Sequence, residues 1–328
     1  MRHGTVIALC TVFSLTACAT VDTHLPVPST TQLDVETETQ ETQAFARYLK
    51  MRKRLDKVSA TIMKANAELC RKTRTDFGII THTRKSYSKH LRDAAERRLG
   101  AGDTHTVLFV RDRSPASGAG IELGDVIIGN KDEPISARDK SLADADALHI
   151  RRLGKDMQIE MKAETHCDYG VALKMSGAVN AYANGKSIVV TTAMMDFAAS
   201  DDELALVVGH ELAHNTMKHI RKAIWNAVVS GFATRTTRPF ESEADYVGLY
   251  YMARAGYTLD GVEDFWRRLG VQNPKSIVRA KTHPVTPERL LAIHMAAEEI
   301  KTKQAAGEEL VPNYKPGKMP SLQPVLKP

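Results

Sequence analysis

The stretch LALVVGHELAHNTMKHI, residues 204–220, restricts the fold more than any other part of the chain. It follows Ser200-Asp201-Asp202-Glu203, a capping box in which serine and glutamate satisfy free amides at a helix start. Leu204, Leu206, Val207, Val208 and Leu212 cover most of the circumference of that helix, which predicts burial on all sides. His210, Glu211 and His214 then fall in a core, where imidazoles and a carboxylate without partners are expensive. Histidines four apart lie on one helical face and can reach one tetrahedral zinc. Glu211, beside them, is placed to take a proton from water, which zinc acidifies to a pKa of about 7. The burial, more than the motif alone, carries this reading.

A catalytic zinc takes a third protein ligand and keeps one position open. The segment RPFESEADYVGLYYMARAGY offers Pro239 for a first helical turn and Gly256 for a stop. Glu241 and Asp245 share a face of that helix, so Glu241 can complete the metal shell while Asp245 accepts the outer N–H of a zinc histidine. Glu243 is the competing ligand, on another side of the helix. Ala244 and Gly248 are small enough to admit close approach to the first helix. His219 lies off the zinc face and reads as structural, as Phe265 and Trp266 read as packing. Upstream, Asn184-Gly185 predicts a hairpin turn within residues 178–192.

The ordered set His210-Glu211-Leu212-Ala213-His214, Glu241-Ser242-Glu243-Ala244-Asp245, Ala255-Gly256-Tyr257 and Thr282-His283-Pro284 resembles the zinc endopeptidases that include HtpX, BepA, LoiP and the CAAX prenyl protease. The resemblance spans about residues 168–300. It implies one Zn2+ per chain held by His210, His214 and Glu241, with Glu211 as general base and Asp245 behind the ligands. It also implies that His283 lies over the metal, either donating to the oxyanion or filling the open position. Arg289, one turn into the next helix, is expected to support substrate or oxyanion. The hairpin resembles the family's active-site edge, against which an extended protein substrate would pair. The rival reading is a chaperone-like or binding protein whose proteolysis is latent or minor.

The N-terminus, MRHGTVIALCTVFSLTAC, has a charged start, a short apolar stretch and small residues before Cys18. That pattern predicts a secretory signal over residues 1–17. Leu15-Thr16-Ala17-Cys18 resembles a bacterial lipobox, which implies acylation of Cys18 and a periplasmic protein anchored to the envelope, the outer membrane before the inner. The Thr-, Pro- and Gln-rich residues 18–40 predict a mobile tether. Of the four cysteines, Cys70 and Cys167 remain, and export leaves a disulfide or two buried thiols open between them. The net charge of +6 is mild, and no basic run with interleaved aromatics suggests nucleic acid.

Residues 41–75 read as an amphipathic helix, the N-terminal helix of the peptidase domain. From 76 to 165 the texture changes to short apolar runs between Gly, Pro and Asp turns, with a short helix expected in SLADADALHIRRLG. Ser114-Pro115-Ala116, Ala119-Gly120-Ile121 and Gly124-Asp125-Val126-Ile127 resemble the bacterial PDZ pattern. That resemblance implies an inserted peptide-binding domain, with Phe77-Gly78-Ile79 as its carboxylate loop. Residues 166–304 complete the peptidase domain, and 305–328 read as an extended tail. The fold class expected is α+β: a mostly helical zincin-type metallopeptidase domain with a small edge-strand sheet, plus an inserted PDZ-like β-rich domain.

Overall fold

A polar helix, α1 (Thr30–Ala65), leads the elements of the computed structural model, which describes residues 23–143, 145–230, 238–272 and 286–318. Its bounds correct two expectations, since the tether was placed over 18–40 and the helix over 41–75. The early start has a local cause. Ser29 Oγ accepts from the Gln32 N–H while the Gln32 side chain accepts from the Ser29 N–H, a capping box the composition concealed. The helix stops at Ala65, and a 3-10 turn, Ala67–Leu69, delivers Cys70 to the first strand. The chain divides into two compact units, Met1–Glu41 and Thr42–Pro328.

From β1 (Thr73–Asp76) the chain runs through β2 (Ile79–His82), α2 (Arg92–Leu99), β3 (Thr106–Val110), α3 (Pro115–Gly118), β4 (Val126–Ile128), β5 (Ala147–Arg152) and β6 (Lys155–Glu160). Then β7 (Glu164–Cys167) returns antiparallel against β1, pairing Thr73 with Cys167 and Asp76 with Glu164. Cys70 and Cys167 form a disulfide at this neck, with Cα atoms 5.5 Å apart. The intervening segment has its own core, built on Phe77, Val107, Ile127, Leu148 and Ile150. The described residues of 141–154 do not form the α-helix expected there. A 3-10 turn, Lys140–Leu142, precedes β5, in which Leu148 and Ile150 are buried and His149 is exposed. That alternation is a strand's. Leu153 and Gly154, both at positive φ (49° and 78°), close the two-residue hairpin to β6.

The second core follows the neck. β8 (Gly170–Lys174), β9 (Ala181–Ala183) and β10 (Ser187–Thr191) form a sheet ordered β8-β10-β9, parallel between β8 and β10 and antiparallel between β10 and β9. Helices α4 (Thr192–Phe197), α5 (Asp201–Thr216), α6 (His219–Ser230), α7 (Arg238–Arg254), α8 (Val262–Gln272) and α9 (Pro287–Ala305) complete it. Leu55, Val58 and Ile62 of α1 share one apolar cluster with Leu204, Leu212, Tyr250, Phe265 and Ile300. Thus residues on both sides of the insertion build a single core. Beyond α9 the chain runs without helix or strand to Lys318, tied down where Asn313 N–H donates to Tyr246 Oη at 3.1 Å. No helix among the described residues is long and apolar enough to cross a membrane.

Candidate metal centre

Two helices make the site, and glycine sets their separation. A Cβ added to Gly209 would sit 2.7 Å from the Gly248 carbonyl oxygen, and one on Gly248 would sit 2.8 Å from the His210 nitrogen. Backbone therefore packs on backbone where α5 crosses α7, one residue before His210. At the start of α5, Ser200 Oγ accepts from the Glu203 N–H at 3.1 Å and the Glu203 carboxylate accepts from the Ala199 N–H at 2.8 Å. Leu204 through Thr216 are all buried, so the motif residues lie inside the protein.

His210, His214 and Glu241 converge there. Their candidate ligand atoms lie within 4.8 Å of one another, and all three residues are buried. Nε2 of His210 and Nε2 of His214 are 3.1 Å apart, and each lies 3.5 Å from one oxygen of Glu241. A tetrahedral zinc with bonds of about 2.0–2.2 Å separates its ligands by about 3.3–3.6 Å, so the three donors fit such an ion. Glu211, 3% exposed, is next in sequence to His210, and its charge acts on both His210 and Arg289.

Behind the ligands stands a second layer. His210 turns Nδ1 to Asp245 Oδ1 at 2.9 Å, which fixes its tautomer and leaves Nε2 for the metal. Burial alone would lower the pKa of His210, but hydrogen bonds to Asp245 and Glu241 push it up to about 9. Burial likewise opposes ionisation of Asp245, yet the Arg289 guanidinium holds its carboxyl below the usual range. Arg289 donates Nε–H and Nη2–H to Asp245 at 2.5 and 2.8 Å, and its guanidinium lies 4.3 Å from the Trp266 ring centroid. The sequence placed Arg289 against substrate or oxyanion. Here it is 4% exposed, holds Asp245, and brings Nη1 to 3.8 Å from Glu241 Oε2.

The other histidine, His214, has a neighbour that the sequence read as structural. His219 Nδ1 lies 2.9 Å from His214 Nδ1, and its Nε2 lies 2.7 Å from Glu243 Oε2. Glu243, weighed in the sequence as a rival ligand, instead stands two hydrogen bonds from His214. Its hydrogen bond to His219 lowers its pKa. The signal was present as a third histidine five residues beyond the motif, but only the turn at Lys218, with φ of 57°, brings its ring back.

The edge hairpin is pinned to the motif helix. Gly185 N–H donates to Asn215 Oδ1 at 2.7 Å, and Asn215 Nδ2 donates to the Ser187 carbonyl at 3.1 Å, one residue after His214. Asn184 and Asn180 pair with Ser187 and Thr191 of β10, so alternation turns the backbone groups of Ala181 and Ala183 to the outer edge. In the insertion, Gly78 N–H already donates to Asp76 at 2.8 Å, which leaves that amide engaged within the loop assigned to carboxylate binding. His283 and Cys18 lie outside the described residues.

Comparison with known proteins points the same way. The family model "Peptidase family M48" matches residues 145–230 and 222–297. The mitochondrial metalloendopeptidase OMA1 of Schizosaccharomyces pombe is 24% identical over 151 residues, covering 38% of this chain and 45% of that protein. OMA1 of Arabidopsis thaliana is 34% identical over 105 residues, covering 25% of this chain and 22% of its own. The beta-barrel assembly-enhancing protease of Yersinia pestis is 22% identical over 169 residues, covering 40% and 35%. The chain thus spans less than half the length of each of these relatives. Among solved structures, the HtrA3 PDZ domain bound to a phage-derived ligand is similar at 22% identity, covering 29% of this chain and 88% of that one with a TM-score of 0.20.

Proposed function

We propose, on the premise that residues 145–297 make this chain a metallopeptidase of family M48, that it is a zinc-dependent endopeptidase of the bacterial cell envelope. The observation that carries the zinc assignment is the convergence of His210, His214 and Glu241 at tetrahedral spacing with a buried carboxylate, Glu211, one residue from a ligand. His210, His214 and Glu241 would hold the ion, which when bound supplies a Lewis acid and lowers the pKa of a water. Glu211 takes a proton from the attacking water and returns it to the leaving amine. Asp245 keeps the proton of His210 on Nδ1, and Arg289 keeps Asp245 ionised in a setting that burial would otherwise neutralise. An extended substrate adds a strand beside β9, meeting the outward N–H and C=O groups of Ala181 and Ala183. Unfolded or misassembled envelope proteins offer such segments, and they are the substrate class we assign.

The same proposal covers the ends and the insertion. The lipobox reading gives acylation at Cys18 and an anchor in the envelope membrane. The disulfide between Cys70 and Cys167 supports an oxidising compartment. Residues 76–165 act as a PDZ-like module that binds peptide segments, a reading supported by the turn pattern at Ser114–Ile127 and by a core separate from that of the peptidase.

The test is Glu211→Gln. We expect zinc content and melting temperature to match wild type while cleavage of casein falls by about 10²–10⁴-fold. Unchanged turnover by this variant refutes the mechanism. Complementation of a deletion by Glu211→Gln at the wild-type level would favour the chaperone-like reading.

A further inference from the structure

Two carboxylates on one helix reach the two zinc histidines by different routes. On α7, Asp245 touches His210 directly. Glu243, two residues earlier and on another side of the helix, reaches His214 only through His219. We infer that His219 and Glu243 form a positioning relay that fixes the tautomer and orientation of His214 and so sets how tightly the metal is held. This rests on the zinc reading above, which assigns no role to either residue.

Hydrogen-bond bookkeeping leaves one arrangement. With Nε2 of His214 turned to the metal position, its proton is on Nδ1 and is donated to Nδ1 of His219 at 2.9 Å. His219 then carries its own proton on Nε2 and donates it to Glu243 Oε2 at 2.7 Å. The relay ends on an acceptor that needs no further proton. Lys222 Nζ, 3.4 Å from the same oxygen, balances the carboxylate charge. His219 is 2% exposed and stacks on Phe240, with ring centroids 4.9 Å apart and planes at 20°. Phe240 immediately precedes the ligand Glu241, so the first turn of α7 clamps the relay as it supplies the metal ligand.

The backbone is bent to make this contact. Lys218 adopts the left-handed region at φ 57° between α5 and α6, a conformation that a residue with a β-carbon rarely takes. Its effect is to fold His219 back beside His214 within five residues.

Zinc affinity measured by competition with a chromogenic chelator separates a positioning role from simple packing. Folded His219→Ala is expected to bind zinc about 10- to 100-fold more weakly than wild type. Glu243→Ala is expected to lose less, Glu243→Gln to recover most of that loss, and Glu243→Ala to add nothing in the His219→Ala background. Glu243 is half-exposed, so its variants keep the test valid should His219→Ala fail to fold. Wild-type zinc affinity in both single alanine variants overturns the relay, as do independent, additive losses in the double variant. A wild-type chain that takes up no zinc overturns the parent reading instead, and the unmutated control alone reveals it.

Discussion

Single side chains in this protein are held by charge as firmly as by packing, and Asp76 shows the consequence for pH. It is 2% exposed and accepts from Arg111 Nη1 at 2.7 Å and Nη2 at 3.1 Å, with Arg74 also in contact. Burial pushes its pKa up, but these arginines overcome burial and hold it far below the ordinary carboxylate value. A carboxyl depressed in the folded state stabilises the protein above its unfolded pKa and loses that contribution as pH falls through the folded value. Wild-type stability is therefore expected to decline as pH drops below about 4, read as the urea midpoint at successive pH values. Asp76→Asn should be less stable by about 1–3 kcal/mol at neutral pH, because Arg111 keeps only Asp56 as a carboxylate partner, and should show a flatter acid limb. A parallel acid limb would assign the effect to other carboxylates.

At the scale of elements, the crossing of α5 and α7 is the dimension on which ligand geometry depends. Gly248→Ala places a methyl group 2.8–3.0 Å from the backbone of Gly209 and His210, which no side-chain rotation can relieve. Overpacking of this kind costs about 1–3 kcal/mol. Since Glu241 and Asp245 lie on the helix that must move, zinc affinity should fall together with melting temperature. Loss of stability with undiminished affinity would show that the site tolerates the shift.

These elements also show what a sequence discloses. Spacing within one helix is fixed by covalent numbering, so His210 with His214 and Glu241 with Asp245 were legible as pairs before any fold was known. The meeting of α5 with α7 was legible only through Gly248 and Ala244. His219 was not, because its use depends on a non-glycine residue entering the left-handed region. Strand β5 was misread for a related reason: the Ala- and Leu-rich run before it favours a helix locally, while the turn at Leu153-Gly154 and the burial of Leu148 and Ile150 impose the strand. The helical start at Thr30 was available in Ser29 and Gln32, and polar composition masked it.

In the molecule as a whole, the neck at β1 and β7 joins two cores, and the disulfide closes a loop with a sequence separation of 97 residues. On the chain-entropy account, a loop of that length stabilises by about 4–5 kcal/mol, with typical measured values of about 2–4 kcal/mol. Cys70→Ser with Cys167→Ser is expected to lower the urea midpoint by the corresponding amount, and reductant should affect wild type but not the double variant. Equal sensitivity to reductant in both would remove the bond from the account.

The same neck has a consequence for how such a chain can be assembled and dismantled. Because the strands that enter and leave the insertion are already side by side, a short connector between them could replace everything in between. The peptidase core would then keep its first helix and its sheet in register. Excision would strip Arg111 from Asp56 on α1 and from Asp76 at the neck, and Tyr87 and Leu91 from Phe45 and Tyr48 of α1, so a graft must neutralise two acids and cover an apolar patch. The architecture thus behaves as a socket, into which recognition modules of different specificity can be exchanged without redrawing the chemistry beneath.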